Sequence, residues 1–223
     1  MAHATHNAVI EIGGLSIQSS IIRTESAQLA AALTLPVAKA AVNWTAATST
    51  ITVADDDAIA AGDWADVFWY SSTSGWGCRY GCDVVSITPN GDNYDVTLAN
   101  GSGDSLPTQY SYDTYGISPI LAPCANVDLA FDGDQIKAAA AHINLGGHCL
   151  FKSFDGSGDQ GAVHNRLLLP NEAWFYADEM GRTNPLAGDD VVNVVASNLS
   201  TTTTAKLKLA VLLDNDYVPA SGG

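Results

Sequence analysis

Three segments in the last third of the sequence have the residue pattern of β-strands: Leu167–Ala177, Val191–Ser197 and Ala205–Leu213. In the last of these, lysine and leucine alternate, so one face is apolar and the other is solvated. The valines of the second favour an extended backbone, because β-branching restricts their rotamers. Within the first, Pro170 and Asn171 predict a bend or bulge, since proline cannot donate to a neighbouring strand. These segments predict a β-sandwich or a barrel.

A second series of short strand patterns, separated by turn residues, occupies the middle of the sequence. Its members are Thr48–Val53, Asp66–Tyr70, Asp83–Thr88 and Tyr94–Leu98. Between the last two, Pro89–Asp92 predicts a hairpin turn, because asparagine and glycine tolerate positive φ. Strands of this number and spacing are typical of a small β-barrel, which we place over residues 43–118.

The two ends of the chain complete an all-β prediction. Asn7–Ile22 has apolar residues on both sides of a Gly-Gly pair and predicts a hairpin or a kinked strand, and Glu25–Leu35 alternates as a strand does. The predicted parts are N-terminal strands over 1–42 that pack on the C-terminal domain, the barrel over 43–118, a β-sandwich or jelly-roll-like domain over 119–217, and a flexible tail over 218–223.

One segment is compatible with two kinds of structure. Gln135–Ile143 contains a run of alanines, which favours a helix that Asp134 would cap. The same residues form a strand if the segment lies beside a sheet. Residues 135–143 therefore stay open between helix and strand.

Composition restricts the partners of the chain. It has 9 lysines and arginines against 24 aspartates and glutamates, a formal net charge of −15 at pH 7. Nucleic-acid binding depends on clustered basic residues, and those present are scattered, so we expect no nucleic-acid partner. No apolar run approaches the roughly 20 residues of a membrane helix, and the N-terminus does not resemble a signal peptide. We therefore expect synthesis in a cytoplasm and no membrane partner.

The cysteines allow three interpretations. Cys78, Cys82, His148 and Cys149 are residue types that bind zinc, although only one close cysteine pair is present. A disulfide between Cys78 and Cys82, across a tight loop, is the second interpretation and requires an oxidising compartment. Ordinary buried or loop thiols are the third.

Two further segments are candidate binding sites. Asp155 and Asp159 flank small residues, as in part of a calcium loop, but the distal glutamate of an EF-hand is missing. A flexible polar turn is the favoured explanation of that segment. Trp69, Tyr70 and Trp76 form the most aromatic segment and predict either a sugar-stacking surface or packing in a core or subunit contact.

No sequence motif of catalysis is found. A Gly-x-Ser-x-Gly nucleophile elbow is absent, and the Gly-Gly pairs lack the context of phosphate-binding loops. We therefore expect that the protein is not an enzyme and has no cofactor.

A set of short segments, taken in order, resembles a group of tailed-bacteriophage virion structural proteins. The segments are Ser20–Thr24, Leu33–Lys39, Ile59–Asp63, Asp66–Trp69, Asn100–Pro107, Phe131–Asp134, Asn171–Trp174, Asn184–Gly188 and Val194–Asn198. The likeness extends over about residues 15–215. The Cys78–Cys82 and Tyr110–Tyr115 segments do not belong to the pattern.

The resemblance implies a non-enzymatic virion protein, made in the host cytoplasm and released without a signal peptide. It implies a capsid decoration or cement protein that forms homo-oligomers and contacts the major capsid protein or other virion proteins. A tail tube or tail-tip protein is the alternative within the same class. A carbohydrate-binding module for attachment to host surfaces is the alternative from another class.

Overall fold

The computed structural model describes residues 8–12, 15–19, 25–108, 115–154, 160–177, 184 and 191–216. Nearly all of their regular structure is β-strand, which confirms the all-β prediction. The strands are β1 (Ala8–Ile12), β2 (Leu15–Ser19), β3 (Glu25–Leu35), β4 (Lys39–Thr45), β5 (Thr50–Val53), β6 (Trp64–Ser71), β7 (Gly75–Asn90), β8 (Asn93–Gly103), β9 (Tyr115–Asp132), β10 (Ile136–Ile143), β11 (Gly147–Phe154), β12 (Gln160–Leu168), β13 (Ala173–Ala177), β14 (Val191–Asn198) and β15 (Ala205–Asp214).

The chain forms two compact units, and each is discontinuous in sequence. The barrel unit consists of Leu35–Ala125 and Ser197–Ala205. The sheet unit consists of residues 1–34, 126–196 and 206–223. The barrel unit extends beyond the predicted limits of 43–118, because β4 begins at Lys39 and β9 contributes a barrel strand. The predicted tail, 218–223, lies outside the described residues.

The barrel unit is a closed barrel of six strands in the order β9-β4-β5-β8-β7-β6. Every neighbouring pair is antiparallel, and β6 also pairs with β9, which closes the ring. Closure gives both edges of each barrel strand a hydrogen-bonding neighbour and so removes the exposed edges of an open sheet.

Inward-facing side chains fill the barrel. The core contains Trp44, Ile51, Val53, Ile59, Ala65, Val67, Trp69, Cys82, Val84, Val96, Leu98, Leu106 and Leu121. The indole Nε1 of Trp44 donates to the carbonyl of Pro107 at 2.8 Å, so this buried polar atom is satisfied. Large rings thus fill the barrel without leaving the indole N–H of Trp44 unbonded.

The hairpin predicted at Pro89–Asp92 joins β7 and β8. Asn90 lies opposite Asn93, so the two turn residues are Gly91 and Asp92. Gly91 has φ +64°, a conformation that glycine adopts without steric cost. The turn therefore lies one residue later than the Asn-Gly pair suggests.

Asn198 fixes the last segment of the barrel unit. Its side chain is fully buried. Nδ2 donates to the carbonyls of Pro36 at 3.0 Å and Thr203 at 2.7 Å, and Oδ1 accepts from the backbone N–H of Ser200 at 2.8 Å. One side chain therefore joins the segment before β4 to the loop between β14 and β15.

The sheet unit contains a four-stranded sheet in the order β13-β10-β15-β3 and a second group in the order β12-β11-β14-β9. Strands β1 and β2 form an antiparallel hairpin, as Asn7–Ile22 predicts. Phe151 of β11 packs on Trp174 of β13, with ring centroids 4.8 Å apart. This contact between the two sheets is typical of a sandwich core.

The structure decides one open prediction and corrects two details. Residues 136–143 are a strand, because β10 pairs with both β13 and β15 and its alanines are buried between them. The residue that caps the short 3-10 turn before β10 is Asp132, which accepts from the N–H of Asp134 at 2.8 Å. Leu167–Ala177 is two strands rather than one bent strand, because Asn171 has φ +70° and forms a turn with Pro170.

We predict that Asn198→Leu lowers the free energy of unfolding by about 2–4 kcal/mol, because it removes three part-buried hydrogen bonds to backbone groups. Urea unfolding followed by tryptophan fluorescence measures the change. Asn126→Leu, at an exposed position of β9, is the matched control and should change stability by less than about 0.5 kcal/mol. Equal stability of the two variants would contradict the role of Asn198.

Candidate functional site

The outer face of β6, β7 and β9 carries the candidate site, which we call the β6–β7–β9 wall. Tyr70 of β6 lies opposite Trp76 of β7 and opposite Ile117 of β9. Opposite residues of antiparallel strands share a face. Because the preceding residue, Trp69, points into the core, Tyr70 and its two neighbours point outward. We call Trp76, Tyr70 and Ile117 the aromatic row.

A short turn places the two rings of the row opposite each other. Ser71 pairs with Gly75, and the Ser71 hydroxyl accepts from the N–H groups of Thr73 and Ser74 at 3.2 and 3.3 Å. Gly75 has φ +79° and completes the turn. The hydroxyl of Ser71 therefore stabilises the register that the row requires.

The rings of Tyr70 and Trp76 form an edge-to-face pair, with centroids 5.5 Å apart and an interplanar angle of 66°. On its other side, Tyr70 lies against Gly116, where an added Cβ would be 2.9 Å from Cδ1 of the ring. The side chain of Ile117 is 41% exposed. The row is therefore a contiguous apolar strip, held in place by packing and open to solvent at Ile117.

The structure separates the three residues of the predicted aromatic site. Tyr70 and Trp76 meet on the outer face, whereas Trp69 lies in the core against Gly77, where any Cβ would overlap the indole ring. Ile117 was not predicted, because its place in the row depends on the pairing of β6 with β9. Alternation within β6 was the only signal in the sequence that separates Trp69 from Tyr70.

Asp66, in the same strand as Tyr70, has a buried carboxylate that joins three parts of the barrel unit. Its side chain is 1% exposed. Oδ1 accepts from the N–H of Gly81 at 2.8 Å, and Oδ2 accepts from the hydroxyl of Ser197 at 2.5 Å. The thiol of Cys124 donates a further hydrogen bond to this carboxylate. A buried carboxylate is tolerated when donors of this kind surround it.

Three thiols lie around Asp66, and all have a raised pKa. Burial raises the pKa of Cys78 far above its usual range, and the negative charge of Asp66 adds to the effect. Burial also raises the pKa of Cys82 to about 11, again with a contribution from Asp66. The pKa of Cys124 is well above its usual value, because the thiol is buried and donates to Asp66. The thiol form therefore prevails at neutral pH, and the reactive thiolate is suppressed.

The disulfide interpretation assumed a tight loop, but Cys78 and Cys82 lie within the extended strand β7. Cys78 pairs with Phe68 of β6, and Cys82 pairs with Ala65. Phe68 and Ala65 are three positions apart, which corresponds to about 10 Å along a strand, so their two partners in β7 are separated by a similar distance. A disulfide requires Cα atoms within about 7 Å. Both cysteines are thiols in the structure, and this geometry does not favour joining them.

The predicted zinc ligands belong to different units. Cys78 and Cys82 lie in β7 of the barrel unit, and His148 and Cys149 lie in β11 of the sheet unit. Among the described residues, no three histidine, cysteine, aspartate or glutamate side chains are arranged to hold a metal ion. The predicted calcium ligands, Asp155 and Asp159, lie outside the described residues.

Comparison with known proteins gives no further assignment. No protein family model matches the sequence, and no curated protein or solved structure matches it. No helix in the described part of the chain is long and apolar enough to span a membrane.

The raised thiol pKa values predict a loss of stability at alkaline pH. A thiol whose pKa is higher in the folded than in the unfolded state contributes fully to the free energy of unfolding at pH values below its unfolded-state pKa. This contribution is lost as the pH rises to the folded-state pKa. For Cys82 this interval runs from the usual 9.0 to about 11. Urea midpoints measured from pH 7 to 11 should fall over this interval. The fall should be shallower in Cys82→Ala, and parallel curves would contradict the assignment.

Proposed function

We propose that this chain is a non-enzymatic structural protein of a tailed-phage virion, and that it decorates the capsid as a symmetric homo-oligomer. The observation that carries the proposal is a set of apolar side chains turned outward on hydrogen-bonded strands. In the barrel unit these are Val42, Val85 and Ile117, all more than 40% exposed. Burial of such side chains against other subunits stabilises an assembly by roughly 25 cal/mol per Å².

The backbone itself turns two of these residues outward. Val42 lies at a register shift between Ala41 and Asn43, and Val85 lies at one between Val84 and Ser86. A β-bulge changes the direction of a side chain without breaking the strand. Single exposed apolar residues are common, but bulges that present valine are fixed features of the barrel wall. They support a role in contact with other molecules.

The chemistry of the site agrees with a structural role. Cys78, Cys82 and Cys124 remain protonated at neutral pH, which suits packing and disfavours nucleophilic attack. Asp66 is fully enclosed and accepts hydrogen bonds from the surrounding structure. A group that acts as a general base must instead be within reach of a substrate proton.

Assembly on a capsid explains how weak contacts suffice. A protein present in many copies combines small contact energies, because each contact made raises the effective concentration for the next. The net charge of −15 favours contact with basic surfaces, and the major capsid protein is the partner we propose. Location in the virion, after synthesis in the host cytoplasm, follows from the same proposal.

A second candidate function is carbohydrate binding through the aromatic row. The specific observation is the outward pair of Tyr70 and Trp76, whose geometry is fixed by the turn at Ser71. Aromatic faces pack against the apolar faces of sugars, and the polar atoms of Tyr and Trp remain able to form hydrogen bonds. In this function the protein would attach to glycans of the host surface.

The decoration proposal predicts closed oligomers that bind empty capsids at a fixed stoichiometry. Light scattering with negative-stain imaging measures the mass and shape of the purified chain, and co-sedimentation measures binding. Long tubes or filaments would reject decoration and favour a tail tube component. A stable monomer that does not bind capsids would reject the structural proposal.

The carbohydrate candidate predicts that Trp76→Ala weakens glycan binding at least about ten-fold, or roughly 1.4 kcal/mol, without changing the mass in solution. An array of bacterial surface glycans provides the measurement, and Val85→Ala, at an exposed apolar site in the same strand, is the control. Failure of the unaltered protein to bind any glycan on the array would reject this candidate.

A further inference from the structure

Two asparagines of the sequence are followed by glycine: Asn90 precedes Gly91, and Asn100 precedes Gly101. Asparagine in this setting is chemically labile, because glycine has no Cβ to hinder attack by its backbone nitrogen on the preceding side chain. Both asparagines are exposed, so water reaches them. Both belong to the paired strands β7 and β8, and their surroundings decide which of them reacts.

At Asn100, a cation contacts the peptide group that would react. The guanidinium of Arg79 donates a hydrogen bond to the backbone carbonyl of Asn100, and this carbonyl shares its peptide group with the nitrogen of Gly101. A positive charge at the oxygen stabilises the negative charge that the group acquires when Gly101 loses its N–H proton. The deprotonated nitrogen is the nucleophile, so Arg79 increases the fraction that can attack.

The fold requires glycine at position 101. Gly101 has φ +75°, a conformation that side chains rarely adopt. An added Cβ would also lie 2.6 Å from Sγ of Cys82 and 3.2 Å from Nε of Arg79. The residue that leaves the Asn100 side chain open to attack is therefore fixed by packing, and the same packing holds the guanidinium beside it.

The side-chain contacts do not distinguish the two asparagines, whereas the contacts of their carbonyls do. Nδ2 of Asn100 donates to a carboxylate oxygen of Asp83. Nδ2 of Asn90 donates to both oxygens of Asp95, at 3.2 and 3.1 Å. In the described part of the chain, Arg79 contacts the carbonyl of Asn100, and no basic side chain contacts that of Asn90. The positive charge therefore favours reaction at Asn100.

We propose that Asn100 is a site of spontaneous deamidation, accelerated by Arg79. The nitrogen of Gly101 bonds to Cγ of Asn100, and the bond from Cγ to Nδ2 breaks. Nδ2 leaves as ammonia with the proton that Gly101 has lost. Water then opens the succinimide ring at one of its two carbonyl carbons, which gives either aspartate or its β-linked isomer.

The reaction replaces a hydrogen bond by a repulsion. The amide of Asn100 donates to Asp83, whereas the carboxylate of the product cannot donate and carries the same charge as Asp83. The β-linked product also lengthens the backbone beside Cys82, where Gly101 has little room. Both effects weaken this end of the β7–β8 pair. This inference goes beyond the proposed function and does not depend on it, so its failure would leave that proposal unchanged.

Incubation of the unaltered protein at mildly alkaline pH, followed by digestion and mass spectrometry, measures conversion at each asparagine. An isoaspartate methyltransferase detects the β-linked product. In the folded protein we expect Asn100 to convert at least about three-fold faster than Asn90. In urea, where Arg79 is no longer held at the carbonyl, the two rates should be similar. Equal rates in the folded protein, or a preference for Asn100 that persists in urea, would overturn the proposal.

Arg79→Gln separates an electrostatic role of Arg79 from a structural one. Loss of the charge should slow conversion at Asn100 at least about three-fold, and Arg79→Lys, which keeps the charge, should retain most of the rate. A variant that merely loosened this end of the strands would convert faster, because local opening frees the backbone. Conversion at Asn90 is the internal control, and circular dichroism checks folding. An unchanged or raised rate at Asn100 in Arg79→Gln would refute the role of Arg79.

Discussion

The pairing of β6 with β9 is the contact on which the barrel unit depends. Without it, β6 would be a sheet edge, and the backbone groups of β6 and of Tyr115–Pro123 in β9 that now pair would need other partners. With it, six strands close around a core that includes Trp44 and Trp69. The same pairing creates the aromatic row, since it sets Ile117 beside Tyr70. It also brings Cys124, which follows the last paired residues of β9, close to Asp66.

Asp66 shows how a polar residue is accommodated in an otherwise apolar barrel wall. Its neighbours in β6, Ala65 and Val67, point into the core, so Asp66 points outward. It is nevertheless enclosed, and its donors come from the bulge of β7 at Gly81 and from Ser197. Because a buried carboxylate without donors costs several kcal/mol, these hydrogen bonds make the position of each donor specific. An arrangement of the strands that moved these donors away from Asp66 would leave the buried carboxylate without hydrogen bonds, so Asp66 favours the observed register.

Local patterns in the sequence were sufficient for much of the fold. The strands, the turn near Gly91 and the inward or outward direction of alternating residues follow from periodicity and turn chemistry. Long-range pairing could not be predicted in this way. Ser197 and Asp66 are separated by 131 positions in the sequence, and no local pattern relates them. For the same reason the sequence suggests a contiguous barrel, whereas the barrel unit includes a segment from the C-terminal part of the chain.

The two units offer different means of association. Each barrel strand has a neighbour on both sides, so what the barrel wall offers another molecule is side chains, such as the bulged valines and the aromatic row. In the sheet unit, β3 is the last strand of its sheet, and Ser26–Thr34 within it carry no charge. Side-chain contacts depend on the shape of a particular partner, whereas a strand edge accepts any extended strand of matching length and is selective chiefly through symmetry and charge. The proposed function requires contacts both with further copies of the chain and with a capsid subunit, and separate surfaces allow each contact to be optimised for its own partner.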